Sequence, residues 1–297
     1  TFVGHIKIKR IEDLVMTAVS ASMVKELRER TGLGMMDCKK ALVDSEGDME
    51  AAIENLRKSS GMKAAKKAGR IASDGLLSIK VDGATGVIVE VNCETDFAAR
   101  DENFIAFVKT VTDKVFDLGE TDVEALGLET ERENLVQKIG ENISIRRAQV
   151  FKDEGTVVEY LHTNGRIGVM LSMEGGSDDL GKDVAMHIAA MNPTVVSSED
   201  APADLVAKER EIYTAQAQDS GKPPEIVEKM IDGRIRKYLA EISLMEQAFV
   251  KDSDTKIGAL LKKEGAVVNR FVRYEVGEGI EKEEEDFAAE VQRQLGN

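Results

Sequence analysis

From Ser22 the apolar positions recur at helical spacing, with Val24 and Leu27 on one face, until Thr31-Gly32 interrupts the run. Ser22 is placed to cap this first short helix. A second stretch follows Gly34 and turns Cys38, Ala41 and Leu42 inward. Gly47 stops it, and Asp48 caps a third with Met49, Ala52, Ile53 and Leu56 on its inner side. The pattern predicts a three-helix domain over 16–57. Residues 58–70 (KSSGMKAAKKAGR from Lys58) then read as a basic, Ala-rich linker.

Past Asp74 the period drops from helical to two. Leu77, Ile79 and Val81 alternate with polar positions, residues 82–86 form a turn, and Val87 to Val91 makes a second strand. A loop over Asn92–Asp101 leads into a helix through Phe104, Phe107, Val108 and Val111. The same order returns about 80 residues later: a strand over Val157–Leu161, a turn at Thr163-Asn164-Gly165, a strand over Ile167–Met173 and a helix over Asp183–Met191. Phe271 to Val276 reads as a late strand completing the second sheet. The expected fold class is therefore α+β, with two related halves, each a small antiparallel sheet covered by helices on one side. The first half spans 71–156, and the second spans 157–195 together with 245–278. Between its parts, 196–244 carries two thinly apolar helices, Ala203–Gln218 and one opened by Pro224, joined by a Gly/Pro turn. They predict a projecting antiparallel helical hairpin, a coiled-coil-like insertion. Residues 279–297 form a C-terminal helical module. Residues 1–15 differ in pattern from the rest of the chain; Met16 is expected to be the initiator and 1–15 an upstream or non-native extension.

Charge divides the chain. The net charge is -15, yet residues 1–70 hold 14 Lys/Arg and 10 Asp/Glu, a balance of +4, which leaves -19 for the remainder. So acidic a chain repels phosphate backbones, which argues against general nucleic-acid binding, while its basic N-terminal part suits an acidic protein surface. Aromatic residues make up 4% and Trp is absent, so the core must rest on aliphatic residues and Met. The 2 cysteines, Cys38 and Cys93, read as small buried hydrophobes, and such sparse usage fits a reducing cytoplasm. No apolar run reaches the ~20 residues of a membrane span.

Reactive chemistry has little support. There is no G-x-x-x-x-G-K-[ST] loop, no H-E-x-x-H and no G-x-S-x-G. Gly32-Leu33-Gly34 and Gly277-Glu278-Gly279 are each half of a dinucleotide fingerprint. The 3 histidines, His5, His162 and His187, form no zinc pattern with two distant cysteines. His187, beside Met186 and Ile188, reads as a satisfied core histidine. His162, at a strand end before a turn, is placed to touch a partner. No metal, no cofactor and no catalytic residue is expected.

Three segments carry a specific resemblance: VKELRERTGLGMMDCKKAL over 24–42, VEVNCETDF over 89–97, and FVRYEVGEGIE over 271–281 with DFAAEV at 286–291. Together they resemble the bacterial elongation factor Ts family from about residue 16 to the end. The extension 1–15 lies outside that pattern, and the His162 loop is one residue longer than the common family form. The resemblance implies a guanine nucleotide exchange factor, not an enzyme. It would bind elongation factor Tu carrying GDP, displace magnesium, disturb the phosphate site, and stay bound until GTP arrives. It also implies the contacts: Thr95, Asp96, Phe97 and Ala98 beside the partner's magnesium region, Arg28, Met35, Met36 and Lys67 on its nucleotide domain, and His162 on a more distal domain. The hairpin is the expected seam for a homodimer or a 2:2 complex.

A residue-level account is compatible with this. Phe97 is large, rigid and apolar; as a wedge in a partner pocket it would supply roughly 2–3 kcal/mol, and as a core anchor before the helix it would do the same at home. Met35 and Met36 cannot both face so small a core, so one of them is expected in solvent. Two other classes stay open: an adaptor that binds through a ubiquitin-associated (UBA-like) helical domain without catalysing anything, and a small-molecule enzyme, which would need a pocket with perturbed carboxylates.

Overall fold

The computed structural model describes residues 19–152, 155–217 and 223–281. The expected extension 1–15, and the C-terminal module beyond 281, lie outside the described residues.

Three helices come first among the described residues: α1 (Ala21–Thr31), α2 (Met35–Asp44) and α3 (Met49–Lys67). The cap of α1 is Ser20, which accepts from the Met23 N–H; Ser22 lies inside the first turn. Gly32, left-handed at φ 70, closes α1. Asp48 caps α3 by accepting from the Ala51 N–H, as its position suggests. Leu27, Leu33, Cys38, Leu42, Ala52 and Leu56 make a small core. The expected linker 58–70 is a correction: α3 is one continuous helix of 19 residues through Lys67. Ala, Lys and Met are good helix formers and no proline intervenes, so nothing stops the helix. Leu56, Ser60 and Ala64 continue its buried face at i, i+4 spacing, with Ala64 inside the core of the next domain.

Two antiparallel sheets follow. The first, in the order β1-β2-β3, comprises β1 (Asp74–Asp82), β2 (Thr85–Cys93) and β3 (Ile143–Lys152). The first hairpin is tighter than expected: Asp82 pairs with Thr85, leaving a two-residue loop. Between β2 and β3 lie α4 (Asp96–Ala99), α5 (Glu102–Leu118) and α6 (Glu129–Ile139). The second sheet, in the order β4-β5-β8, comprises β4 (Thr156–Leu161), β5 (Ile167–Glu174) and β8 (Val267–Glu275). In both, the hairpin's second strand is central and the third strand returns beside it after helical crossings, so the two halves share a topology. Helix α7 (Asp178–Met191) follows β5; it begins five residues earlier than its periodicity suggests because Ser177 caps it. The insertion is α8 (Ala203–Ala217) and α9 (Pro224–Ile242), packed through Ala217, Ile231 and Ile235. A short β6 (Ala248–Phe249) and β7 (Asp252–Lys256) pair precedes α10 (Ile257–Lys263).

Each sheet was expected to be covered on one side; both sides are covered. Helices α5 and α6 lay Phe104, Phe107, Val111, Leu135 and Val136 on Val87, Val89 and Val91. Helices α7 and α10 lay Val184, Ile188, Ile257 and Leu261 on Val169 and Leu171. The remaining faces meet each other, Leu77, Ile88 and Phe151 against Val157, Met170 and Tyr274. A layered helix–sheet–sheet–helix body results.

Candidate partner-binding surface

The 92–101 loop is built from its two ends inward. Cys93 ends β2 opposite Asp74, so the chain leaves the sheet at the edge where β1 starts. Thr95 is extended and accepts through its hydroxyl from the Ala98 N–H, which nucleates the single turn α4. Within that turn Ala98 and Ala99 are buried, while Phe97 is 78% exposed. Alternate sides of one short turn thus separate the small residues from the large one. Asp96 pairs with Arg100 at 2.8 Å, in solvent.

The loop does not hang free. Glu141, just past the left-handed Gly140 that closes α6, accepts from the Glu94 N–H at 3.0 Å, the Thr95 N–H at 2.9 Å and the Thr95 hydroxyl at 2.6 Å. Reciprocally, the Glu94 carboxylate accepts from the Asn142 N–H at 2.6 Å and faces Arg70. The Cys93 thiol donates to the Thr95 carbonyl at 3.2 Å. Burial, then the nearby Glu141 and Asp74 charges, push that thiol up to about 12, so it stays protonated and keeps donating.

The 162–166 turn sits at the same end of the first sheet. The Leu77 N–H donates to the Gly165 carbonyl, and Arg166 forms an ion pair with Asp74, the residue opposite Cys93. His162 is exposed and meets the Tyr160 ring edge-on at 6.5 Å between centroids. The structure therefore brings Thr95–Ala98 and His162 to one end of the body.

On the helical domain, Arg28, Met35 and Met36 line one groove of about 400 Å³ with Val19, Val24, Lys25 and Lys39. One of the two methionines was expected in solvent, and both are there: Met35 is 59% and Met36 74% exposed. They occupy the first turn of α2, whose inner face starts only at Cys38, so neither is needed to seal the domain. Lys67 is placed differently from these. At the end of α3 its ammonium donates to the Gly140 carbonyl, which closes α6.

Glu94, Glu141 and Asn142 were not singled out from the sequence. Glu94 lies inside the NCETDF segment, but a Gly-Glu-Asn turn 46 residues beyond Thr95 gives no local sign that it will meet that loop. Among the described residues, no group of three or more His, Cys, Asp or Glu is placed to hold a metal ion. Nor is any described helix long and apolar enough to cross a membrane.

A clasped loop that holds a large apolar ring in water, in a chain that also carries a Met-lined basic groove on its helical domain, marks a protein built to engage another macromolecule. The family model described as Elongation factor TS matches residues 94–278. The chain is 64% identical to Elongation factor Ts of Hahella chejuensis over 285 residues, covering 94% of this chain and 99% of that protein. It is 60% identical to Elongation factor Ts of Teredinibacter turnerae, covering 94% and 97%, and 59% identical to that of Saccharophagus degradans, covering 94% and 98%. The chain belongs to the elongation factor Ts family, a family of translation elongation factors.

Proposed function

We propose that this protein is a guanine nucleotide exchange factor that binds elongation factor Tu carrying GDP and accelerates loss of the nucleotide. The observation that carries the proposal is the exposed ring of Phe97 on a loop tied down on both sides. A GTPase holds GDP through the backbone N–H groups of its phosphate loop and a magnesium ion. A ring driven between elements of that site separates the donors from the phosphates, and burying it offers roughly 2–3 kcal/mol toward the distorted state. Asp96 enters beside it and perturbs the polar ligands of the partner's magnesium. Its salt bridge to Arg100 is exposed and costs little to break. Arg28, Met35 and Met36 hold the nucleotide domain, His162 reaches a second domain, and the factor stays bound until GTP displaces it. Lys67 serves the scaffold, through Gly140, before it serves the partner.

On this reading the chain is not an enzyme, needs no cofactor, works in the cytoplasm and binds neither nucleic acid nor membrane. The hairpin α8–α9, with Ile212 and Ile226 exposed, is the surface reserved for pairing copies as a homodimer or 2:2 complex. The groove beside Met35 and Met36 favours a second reading, an adaptor that binds without exchange.

Stopped-flow release of fluorescent GDP from elongation factor Tu separates the two. Release accelerated in proportion to added protein is expected, together with a complex that is tight without nucleotide and dissociates as GDP is added, because the coupling is reciprocal. Binding with an unchanged GDP off-rate would leave the adaptor.

A further inference from the structure

A four-residue turn carrying a bare aromatic ring has a cheaper place to go than water: flat against its own body. Something must hold Phe97 out, and the hydrogen bonds identify what does. Both oxygens of Glu141 are committed to the loop, Oε2 to the Glu94 and Thr95 N–H groups and Oε1 to the Thr95 hydroxyl. The Thr95 hydroxyl in turn accepts from Ala98, the residue after Phe97. One carboxylate therefore sets the direction of the turn from which the ring projects. Its own turn is anchored on the opposite side. The Gly140 carbonyl takes the Lys67 ammonium, and the Asn142 side chain donates to the Arg70 carbonyl at 2.8 Å. The residues 140–142 thus touch the end of α3, which carries the helical domain, and the Phe97 loop at once.

We propose that Glu141 is a positioning residue for exchange, resting on the function proposed above: it presents Phe97 pre-ordered, at a fixed displacement from the Arg28–Met35–Met36 groove. A partner gripped by that groove meets the ring as an intramolecular event, and no loop-ordering entropy is spent at that moment. Grip and wedge are then separate contributions. Glu141 acts on the second, so losing it lowers the maximal exchange rate and leaves the concentration needed for half-maximal effect in place.

The test uses the full chain and follows fluorescent GDP release from elongation factor Tu against factor concentration, for Glu141→Ala, Glu141→Gln, Phe97→Ala and the Glu141→Ala/Phe97→Ala pair. Glu141→Ala is expected to cut the saturating rate about tenfold, the scale for removing charge-assisted bonds that pre-order a loop, with half-saturation shifted less than about twofold. The pair matches Phe97→Ala alone, since an undirected loop matters only while the ring is there. Glu141→Gln keeps the volume but loses an acceptor and serves if the alanine variant melts early. A folded Glu141 variant with the parent's saturating rate overturns the proposal, and so does a loss that adds fully to that of Phe97→Ala. If Phe97→Ala itself exchanges normally, the underlying functional reading fails instead, and the two failures are told apart.

Discussion

Phe97 stands in water in a protein with few aromatic residues, and this shapes what its removal does. A side chain 78% exposed contributes little to folding, so Phe97→Ala is expected to keep the parent's melting temperature to within a degree or so while slowing GDP release at least tenfold. A clear loss of thermal stability would instead return the ring to the role of a core anchor, which its sequence position left open. That question was undecidable locally. An aromatic ahead of a helix has the same neighbours in sequence whether it points in or out, and Glu141, which settles the direction, arrives 46 residues after Thr95. His187 was legible: an apolar helix face implied a satisfied interior histidine, and its Nε2 meets Gln247 at 2.9 Å while its Nδ1 accepts from the Val250 N–H.

Among elements, most could be read from their spacing, including the thinly apolar helices α8 and α9; strand β3 and helix α6 could not. Strands β1, β2, β4 and β5 show clean apolar runs because their inner faces are dry. Strand β3, ISIRRAQVFK, is partly exposed along most of its length and carries Arg146 and Arg147, so its alternation is blurred and leaves no strand signal. Helix α6 buries only Leu135 and Val136 and has no side-chain cap, so it left as weak a trace. Residues 58–67 look like a linker in sequence because the partner of their buried face is not nearby: Ser60 donates to Gln137 on α6 at 2.7 Å. A charge at Ala64, which is 1% exposed, would land in that seam. Ala64→Glu is expected to cost about 2–4 kcal/mol and to open residues 58–67 to limited proteolysis. An unaltered melting curve and digestion pattern would mean α3 does not depend on that docking.

At the scale of the molecule, two buried titratable residues tie together segments far apart in sequence, and both resist protonation. Burial raises the Glu90 carboxyl, but the Gly277 N–H, Arg147, Asn92 and Arg146 outweigh it and hold it below its ordinary 4.5. Its stabilisation is present above that value and fades as pH falls through the lower folded one. Burial also lowers His187 from its ordinary 6.5, despite an opposing bond to Gln247, so its contribution is whole above 6.5 and declines as pH drops below. Melting temperature should therefore fall in two stages on acidification, the first setting in as pH drops below the ordinary 6.5 of His187 and the second below the ordinary 4.5 of Glu90. Comparison with His187→Gln isolates that first stage; a parent curve flat there, or an equal fall in the variant, would contradict the assignment.

Order along the chain, helical domain then duplicated half-sheets with an inserted hairpin, was written in periodicity and turn residues, because those are local and each element advertises its own dry face. Membership in the family was written there too, in three runs of residues. The face-to-face meeting of the two sheets, the continuation of α3 into the body and the outward aim of Phe97 depend on groups far apart in sequence that come together only once the layers close. Their energies belong to pairs, Glu141 with Thr95 and Ala64 with the sheet core, and a pair leaves no mark in either of its members alone.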